Sequence, residues 1–430
     1  MLDAITHLAA SGGYSDVTVG QVIAAAGVSR PTFYSCFDDR EQCFAAALAP
    51  VAQQLLGGIR EAVAGGPPQR ALHTAVQALL AHARAEPAQT RLLVSDTLTG
   101  GRELRDARDR LIDDAAAIVE RAHARLPADA AAPALPARLV LGAACRMLAS
   151  RAGGAAQGPS ELAEGLRGWI EAYEQPVAVE RWLALAELAP APRSPFLPIA
   201  LRAPRPTAEG GARKSEGALA EQTWLRIVFA TAEVIRREGG SSATVAQITN
   251  AAGVDARAFY RLFPSKQHAL AAAGELLFRH TIAAAAGAFV SGETWPERVW
   301  EAARALVQFA DENPTLTYVA LIESCGTESG DGQRVQDLAL AFTVFLLEGE
   351  LSPARSSDGT SELVLEAISM GVVELCYRHV REHGSGSLSS LLGQIVFISL
   401  APFLGASQAG DFVRGCPPDP CVRAGLPSAA

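Results

Sequence analysis

Two stretches of this chain place the same polar groups at the same spacing. Residues 18–44 read TVGQVIAAAGVSRPTFYSCFDDREQCF, and residues 244–270 read TVAQITNAAGVDARAFYRLFPSKQHAL. Gly27 pairs with Gly253, Tyr34 with Tyr260, Phe37 with Phe263 and Arg40 with Lys266, always 226 positions apart and without a gap. A phenolic hydroxyl, a following cation and the bare amides of a helix start are groups that hold phosphate-like anions. Bond-making chemistry has little support beside them. The chain has no glycine-rich phosphate loop, nucleophile elbow or metalloprotease helix. His379-x-x-x-His383 has the spacing that two metal-ligating imidazoles use on one helix face. No third ligand stands near it in sequence, and Arg378 and Arg381 flank the pair, so a solvated face is expected, with no metal and no cofactor. Asp106, Asp109, Asp113 and Asp114 lie among Arg102, Arg105, Arg108 and Arg110, the pattern of a salt-bridged surface helix.

Presenting the repeated groups requires a particular local frame. Thr18-x-x-Gln21 and Thr244-x-x-Gln247 are capping boxes, in which the hydroxyl takes an orphan amide and the Gln reaches back. Val19, Val22 and Ile23, with Val245 and Ile248 in the second copy, supply the inward face. Ala-Ala-Gly-Val follows in both, and Gly27 and Gly253 permit the left-handed turn of a helix-turn-helix. Ser29 and Asp255 then cap a short third helix, Arg30–Ser35 in one copy and Ala256–Arg261 in the other. Phe33 and Phe259 are expected to pack inward, with Tyr34 and Tyr260 presenting their hydroxyls.

The pattern Thr-Val-x-x-Ile-x-x-x-Ala-Gly-Val-x-x-x-x-Phe-Tyr-x-x-Phe-x-x-Lys resembles the DNA-binding domain of TetR-type transcriptional regulators, over about 45 residues in each half. The resemblance implies an all-helical protein, usually homodimeric and usually a repressor, released from a double-stranded operator by a small-molecule effector held in the body. Carried over by matching position, it implies phosphate contacts at Thr18, Tyr34 and Arg40, and at Thr244, Tyr260 and Lys266. It places base readers at Arg30 and Thr32, and at Arg257 and Ala258, beside the caps Ser29 and Asp255 and the cation Arg261. The two copies differ in charge. Residues 1–48 hold Arg30 and Arg40 against Asp3, Asp16, Asp38, Asp39 and Glu41, and the counterpart of Ala220–Arg226 is missing because Met1 aligns with Ile227. The second head is therefore expected to carry more of the affinity. The acidic first head also supports a rival reading, an adaptor with degenerate heads that binds protein rather than DNA.

The 430 residues exceed what one core supports. Helix formers dominate and strand-like alternation is scarce. The expected architecture is all-α: two TetR-like halves, each a three-helix head and a helical ligand and dimerisation body. The boundaries read as a first head at 1–48, a first body at 49–189, a Pro/Gly/Arg-rich linker at 190–217, a second head at 218–275, a second body at 276–405 and a flexible tail at 406–430. Breaks fall at Gly65-Gly66-Pro67-Pro68, Gly100-Gly101, Ala132-Pro133 and Gly153-Gly154. The last two helices of each half, about 136–151 with 160–175 and 361–383 with 387–405, are the most apolar and are expected to associate, within one chain or between two.

From Ala45 to Gly168 the first body has no Phe, Tyr or Trp. Aromatic walls suit small-molecule pockets, so the effector is expected in the second body, against Trp295, Trp300, Phe309, Tyr318, Phe342 and Phe345. The net charge of −9 argues against a chain that coats nucleic acid non-specifically. Seven scattered cysteines imply reduced thiols, with Cys416 and Cys421 a minor disulfide option. The absence of a secretory signal or a membrane span points to a cytoplasmic chain.

Overall fold

The structure is a computed structural model that describes residues 1–126, 135–151, 159–173, 190–198, 201–204, 216–240, 242–323, 340–351 and 362–415, with 182, 184, 185 and 188 besides. The breaks at Ala132-Pro133 and Gly153-Gly154, much of the linker, the tail beyond Gly415, and Cys325, Cys416 and Cys421 lie outside the described residues. The described secondary structure is helical throughout, without strands.

The helices are α1 (Leu2–Gly12), α2 (Val19–Ala26), α3 (Arg30–Cys36), α4 (Arg40–Gly65), α5 (Ala71–Ala85), α6 (Pro87–Arg91), α7 (Thr97–Thr99), α8 (Arg102–His123), α9 (Ala137–Arg151) and α10 (Pro159–Glu171). After the linker come α11 (Glu216–Glu238), α12 (Val245–Ala252), α13 (Ala256–Leu262), α14 (Lys266–Phe289), α15 (Trp295–Glu312), α16 (Pro314–Tyr318), α17 (Glu362–His383), α18 (Leu392–Leu404) and α19 (Ala406–Gly415). The repeat continues beyond the heads. Pro87 and Pro314 each open a five-residue helix that runs into a π-helical turn, Leu92–Asp96 and Val319–Glu323. Pro is suited to a first helical position because its missing N–H would be unpaired there.

The chain divides into two compact units. The first gathers residues 1–189, 339–375 and 393–417. The second gathers 190–338 and 376–392. The expected single body at 276–405 is thus divided, because the first part of α17 and most of α18 pack with the first half's helices. Trp169 stands edge-on to Tyr173, Tyr173 and Trp182 both face Phe397, and the Tyr173 hydroxyl donates to the Ile398 carbonyl at 2.6 Å. Burial pushes the Tyr173 hydroxyl well above its ordinary pKa. A Cβ on Gly371 would stand 3.0 Å from the Trp169 ring, and one on Gly165 would stand 2.3 Å from Leu363 Cβ.

Charges reinforce this packing. Glu374 is fully buried and accepts from Arg108 at 2.9 and 3.2 Å and from Arg146 Nε at 2.6 Å. Asp109 also lies 3.4 Å from Arg108. The expectation of a surface helix over Asp106–Asp114 is therefore corrected. Arg102 and Asp106 do pair at the surface, but Arg105, Arg108 and Asp109 are buried. Arg108's partner Glu374 is 266 residues away, beyond the reach of any local pattern.

The flexible tail expected from residue 406 is also corrected. Gly405, at φ 82°, turns the chain into α19, which buries Ala406, Ala409 and Val413. In the second unit the linker's start is docked on α15. Arg193 pairs with Glu312 at 2.8 Å, Gln308 accepts from the Ser194 amide at 2.8 Å, and Leu197 joins the core of α11, α14 and α15.

Candidate nucleic-acid interface

Each head is assembled by local rules that give nearly the same geometry twice. The Thr18 hydroxyl accepts from the Gln21 amide at 3.3 Å while Gln21 Oε1 takes the Thr18 amide at 2.7 Å. Thr244 and Gln247 repeat this at 3.2 and 2.9 Å. Gly27 (φ 64°) and Gly253 (φ 60°) both lie in the left-handed region, where a side chain would strain the turn. Ser29 then caps α3 by accepting from the Thr32 amide at 3.2 Å, and Asp255 caps α13 by accepting from the Ala258 amide at 2.6 Å. Each cap contributes about 0.5–2 kcal/mol.

The third helices are pinned by one buried ring each. Phe33 and Phe259 have no exposed surface. Tyr34 and Tyr260 stand edge-on to them, 5.4 Å between centroids and 86° between planes in both heads. This leaves Tyr34 49% and Tyr260 57% exposed, large figures for tyrosines seated on a core ring. Arg30, Thr32, Arg257 and Arg261 are exposed beside them, and Ala258 is half-buried. The Thr32 hydroxyl is 2.8 Å from Ser29 Oγ and so belongs to the cap as well. Thr18, Thr244, Ser29 and Asp255 are all exposed at their helix starts.

The cations at the start of the fourth helices are each engaged within their own head. Arg40 donates to the Val17 carbonyl and lies 4.3 Å from the Tyr14 ring centroid. Lys266 Nζ donates to the carbonyls of Gly240 at 2.8 Å and Ala243 at 2.7 Å. Both tie α4 or α14 to the segment before the second head helix. Burial holds Lys266 below its ordinary pKa and pushes Tyr14 up to about 12. In the second head Arg226 likewise donates to the carbonyls of Ala252 and Gly253, closing the C-terminus of α12.

Each head is also tied to its own body. Glu41 in α4 accepts from the Gly101 amide at 3.0 Å and the Glu103 amide at 2.9 Å, at the start of α8. Burial raises the Glu103 pKa, and the nearby carboxylates Asp39 and Glu41 add to the effect. In the second unit Glu323 accepts from the Gly240 amide at 3.3 Å. Neither bond follows from the repeat, since Glu41 aligns with Gln267.

The aromatic residues expected to wall an effector pocket are dispersed. Trp295, Trp300 and Phe309 are buried in the second unit with half-buried Tyr318, whereas half-buried Phe342 and Phe345 belong to the first. These six therefore do not form one site within either unit. A cavity of about 260 Å³ opens instead in the first unit between α4 and α8. Leu48, Ala52, Leu56 and Leu111 line it with Gln53 and Arg108, and none of the six rings does. The sequence signal for it is faint, because its walls are alanine and leucine. His379 and His383 stack 4.7 Å apart, and His379 Nε2 lies 2.7 Å from Ser387 Oγ. Burial holds His379 below its ordinary pKa. Among the described residues no group of three His, Cys, Asp or Glu is placed to hold a metal, and no helix is long and apolar enough to cross a membrane.

A search of curated proteins finds no match to the chain. The family model for bacterial regulatory proteins of the tetR family matches twice, at residues 1–47 and 227–273, the segments that form the two capped heads. The two heads are thus tetR-type helix-turn-helix domains carried in tandem, the domain of DNA-binding transcription regulators.

Proposed function

We propose that this regulator represses transcription by seating α3 and α13 on two unlike half-sites of one operator, and that a small molecule releases it. The observation that carries the reading is the doubled ring pair. In each head a buried Phe holds an exposed Tyr upright beside exposed arginines at the start of a capped helix. Tyr34, Tyr260, Thr18, Thr244 and the amides of the caps Ser29 and Asp255 serve the phosphates, which fix register. Arg30, Thr32, Arg257 and Ala258 face the bases, and Arg261 adds charge to the second head. Arg40 and Lys266 support this surface from inside. The second head contributes the larger share of affinity, since α13 exposes Arg257 and Arg261 where α3 exposes Arg30 alone.

The effector's place in this reading is the first-unit cavity, because α4 forms one wall and also carries the head's last cation at its first residue. A ligand there presses on the helix that holds the head. Footprinting of the purified chain on DNA flanking its own gene tests the proposal. Protection of two adjacent major-groove segments with different sequences, weakened by salt, is expected. The adaptor reading predicts no salt-sensitive protection of any fragment, and that result would sink the repressor.

A further inference from the structure

We infer that the association surface formed by the last helices of the two halves is sorted by charge, so that one chain pairs with itself and rejects a second copy. This goes beyond the proposed function and stands without it. The first half contributes the cations: Arg108 on α8, with Arg146 and Arg151 on α9. The second half contributes the anions, Glu366 and Glu374 on α17. Arg151 donates to Glu366 through both terminal nitrogens at 2.6 Å each, and Arg108 and Arg146 converge on Glu374. Helix α9 carries no carboxylate of its own. Of the first half's acids, Asp109 lies 3.4 Å from Arg108.

Shape is sorted in the same sense. A Cβ on Gly142 of the first half would stand 2.5 Å from Glu374 Cγ, so the carboxylate reaches its arginines only because that position is bare. Gly371 of the second half leaves room for Trp169 of the first, 3.0 Å from where a Cβ would stand. Notch faces bulk in both directions, between surfaces that are not copies of each other. Pairing of two chains through their first halves would bring two sets of these arginines to a surface that lacks Glu366 and Glu374. Pairing through second halves would bring together two sets of these glutamates without the arginines. A buried charge that meets its own sign destabilises an interface and excludes it as a partner. A tandem chain needs no second copy to satisfy this surface.

Sedimentation equilibrium of the full chain tests the idea directly. The expected mass is that of one chain, 44.9 kDa, across the concentration range, and a mass of two chains would overturn it. A charge exchange at the rim of the surface separates sorting from simple packing. Arg151→Glu and Glu366→Arg, each alone, are expected to lower the melting temperature and to open the chain to association. The double variant Arg151→Glu/Glu366→Arg is expected to regain the monomer mass and most of the lost melting temperature. A double variant no better than the sum of its parts would overturn charge sorting even if the wild type is monomeric. DNA affinity plays no part in either measurement.

Discussion

Glu374→Ala is the sharpest probe of how the first unit is held together. The carboxylate is fully buried and takes three hydrogen bonds from two guanidinium groups, at 2.6, 2.9 and 3.2 Å. Removing it leaves Arg108, which is 1% exposed, and Arg146, which is 5% exposed, buried without that carboxylate, Asp109 lying 3.4 Å from Arg108. Breaking a buried pair by deleting one partner costs about 3–5 kcal/mol, because the remaining charge stays out of water. For a unit of about 250 residues, each kcal/mol moves the melting temperature by about 2 °C. The expected drop is therefore roughly 6–10 °C. The triple replacement Glu374→Leu/Arg108→Met/Arg146→Met removes the glutamate with both guanidinium groups, although Asp109 loses its Arg108 contact, and is expected to be less destabilised than Glu374→Ala.

Calorimetry reads the magnitude, and hydrogen exchange at α9 and α17 amides places it. A loss below about 1 kcal/mol for Glu374→Ala would refute the reasoning, since no buried pair with this geometry is so cheaply broken. A triple variant as damaged as the single one would show that these side chains act through shape, not charge.

Other outcomes follow from the heads. The Tyr14 hydroxyl is raised from 10.0 to about 12, so the fold favours its neutral form; up to about 3 kcal/mol of stability is present below pH 10 and lost as pH rises toward 12. Urea unfolding at pH 9 and pH 12 should show that dependence shrink in Tyr14→Phe. Lys266→Met removes two hydrogen bonds from a charged donor and should destabilise the second unit by about 1–3 kcal/mol, read by its urea midpoint. In gel shifts at several salt concentrations, Arg261→Ala should flatten the logarithmic salt slope by up to roughly 1, whereas Arg30→Ala and Arg257→Ala should relax sequence preference with little change of slope. Equal slopes for the two heads would contradict their assigned shares.

The heads were legible because every device in them is local. A Thr three residues before a Gln, a Gly after two alanines and a Ser or Asp before the third helix each act within one turn. The division of the bodies was not legible, because it depends on meetings such as Arg108 with Glu374, 266 residues apart. An arginine beside an aspartate on a helix reads as solvated until the distant glutamate is seen. Trp300 and Phe309 fill the second unit's interior, while alanines and leucines predominate around the cavity between α4 and α8. A sign of the repeat outside the heads is local too: Pro87 and Pro314 open matching helices in the two bodies.

The two heads keep in common what builds the surface and differ in what the surface presents. Both have the Thr–Gln box, the left-handed glycine, the buried Phe and the upright Tyr in the same geometry. Both tie the fourth helix back with a cation, though by different chemistry. Arg40 spreads its charge over the Tyr14 ring, as a planar guanidinium can, whereas Lys266 directs a compact ammonium at two carbonyls. Because these cations are engaged inside the heads, the proposed outward grip rests on helix-start amides, tyrosine hydroxyls and the exposed arginines. Along the third helix, Arg30, Pro31, Thr32 and Ser35 stand where the second copy has Ala256, Arg257, Ala258 and Arg261. None of the residues proposed to face bases is shared, so on that reading identical half-sites would satisfy at most one head. A single chain that carries both heads is suited to an asymmetric operator, and a true palindrome selected from random DNA would contradict that assignment.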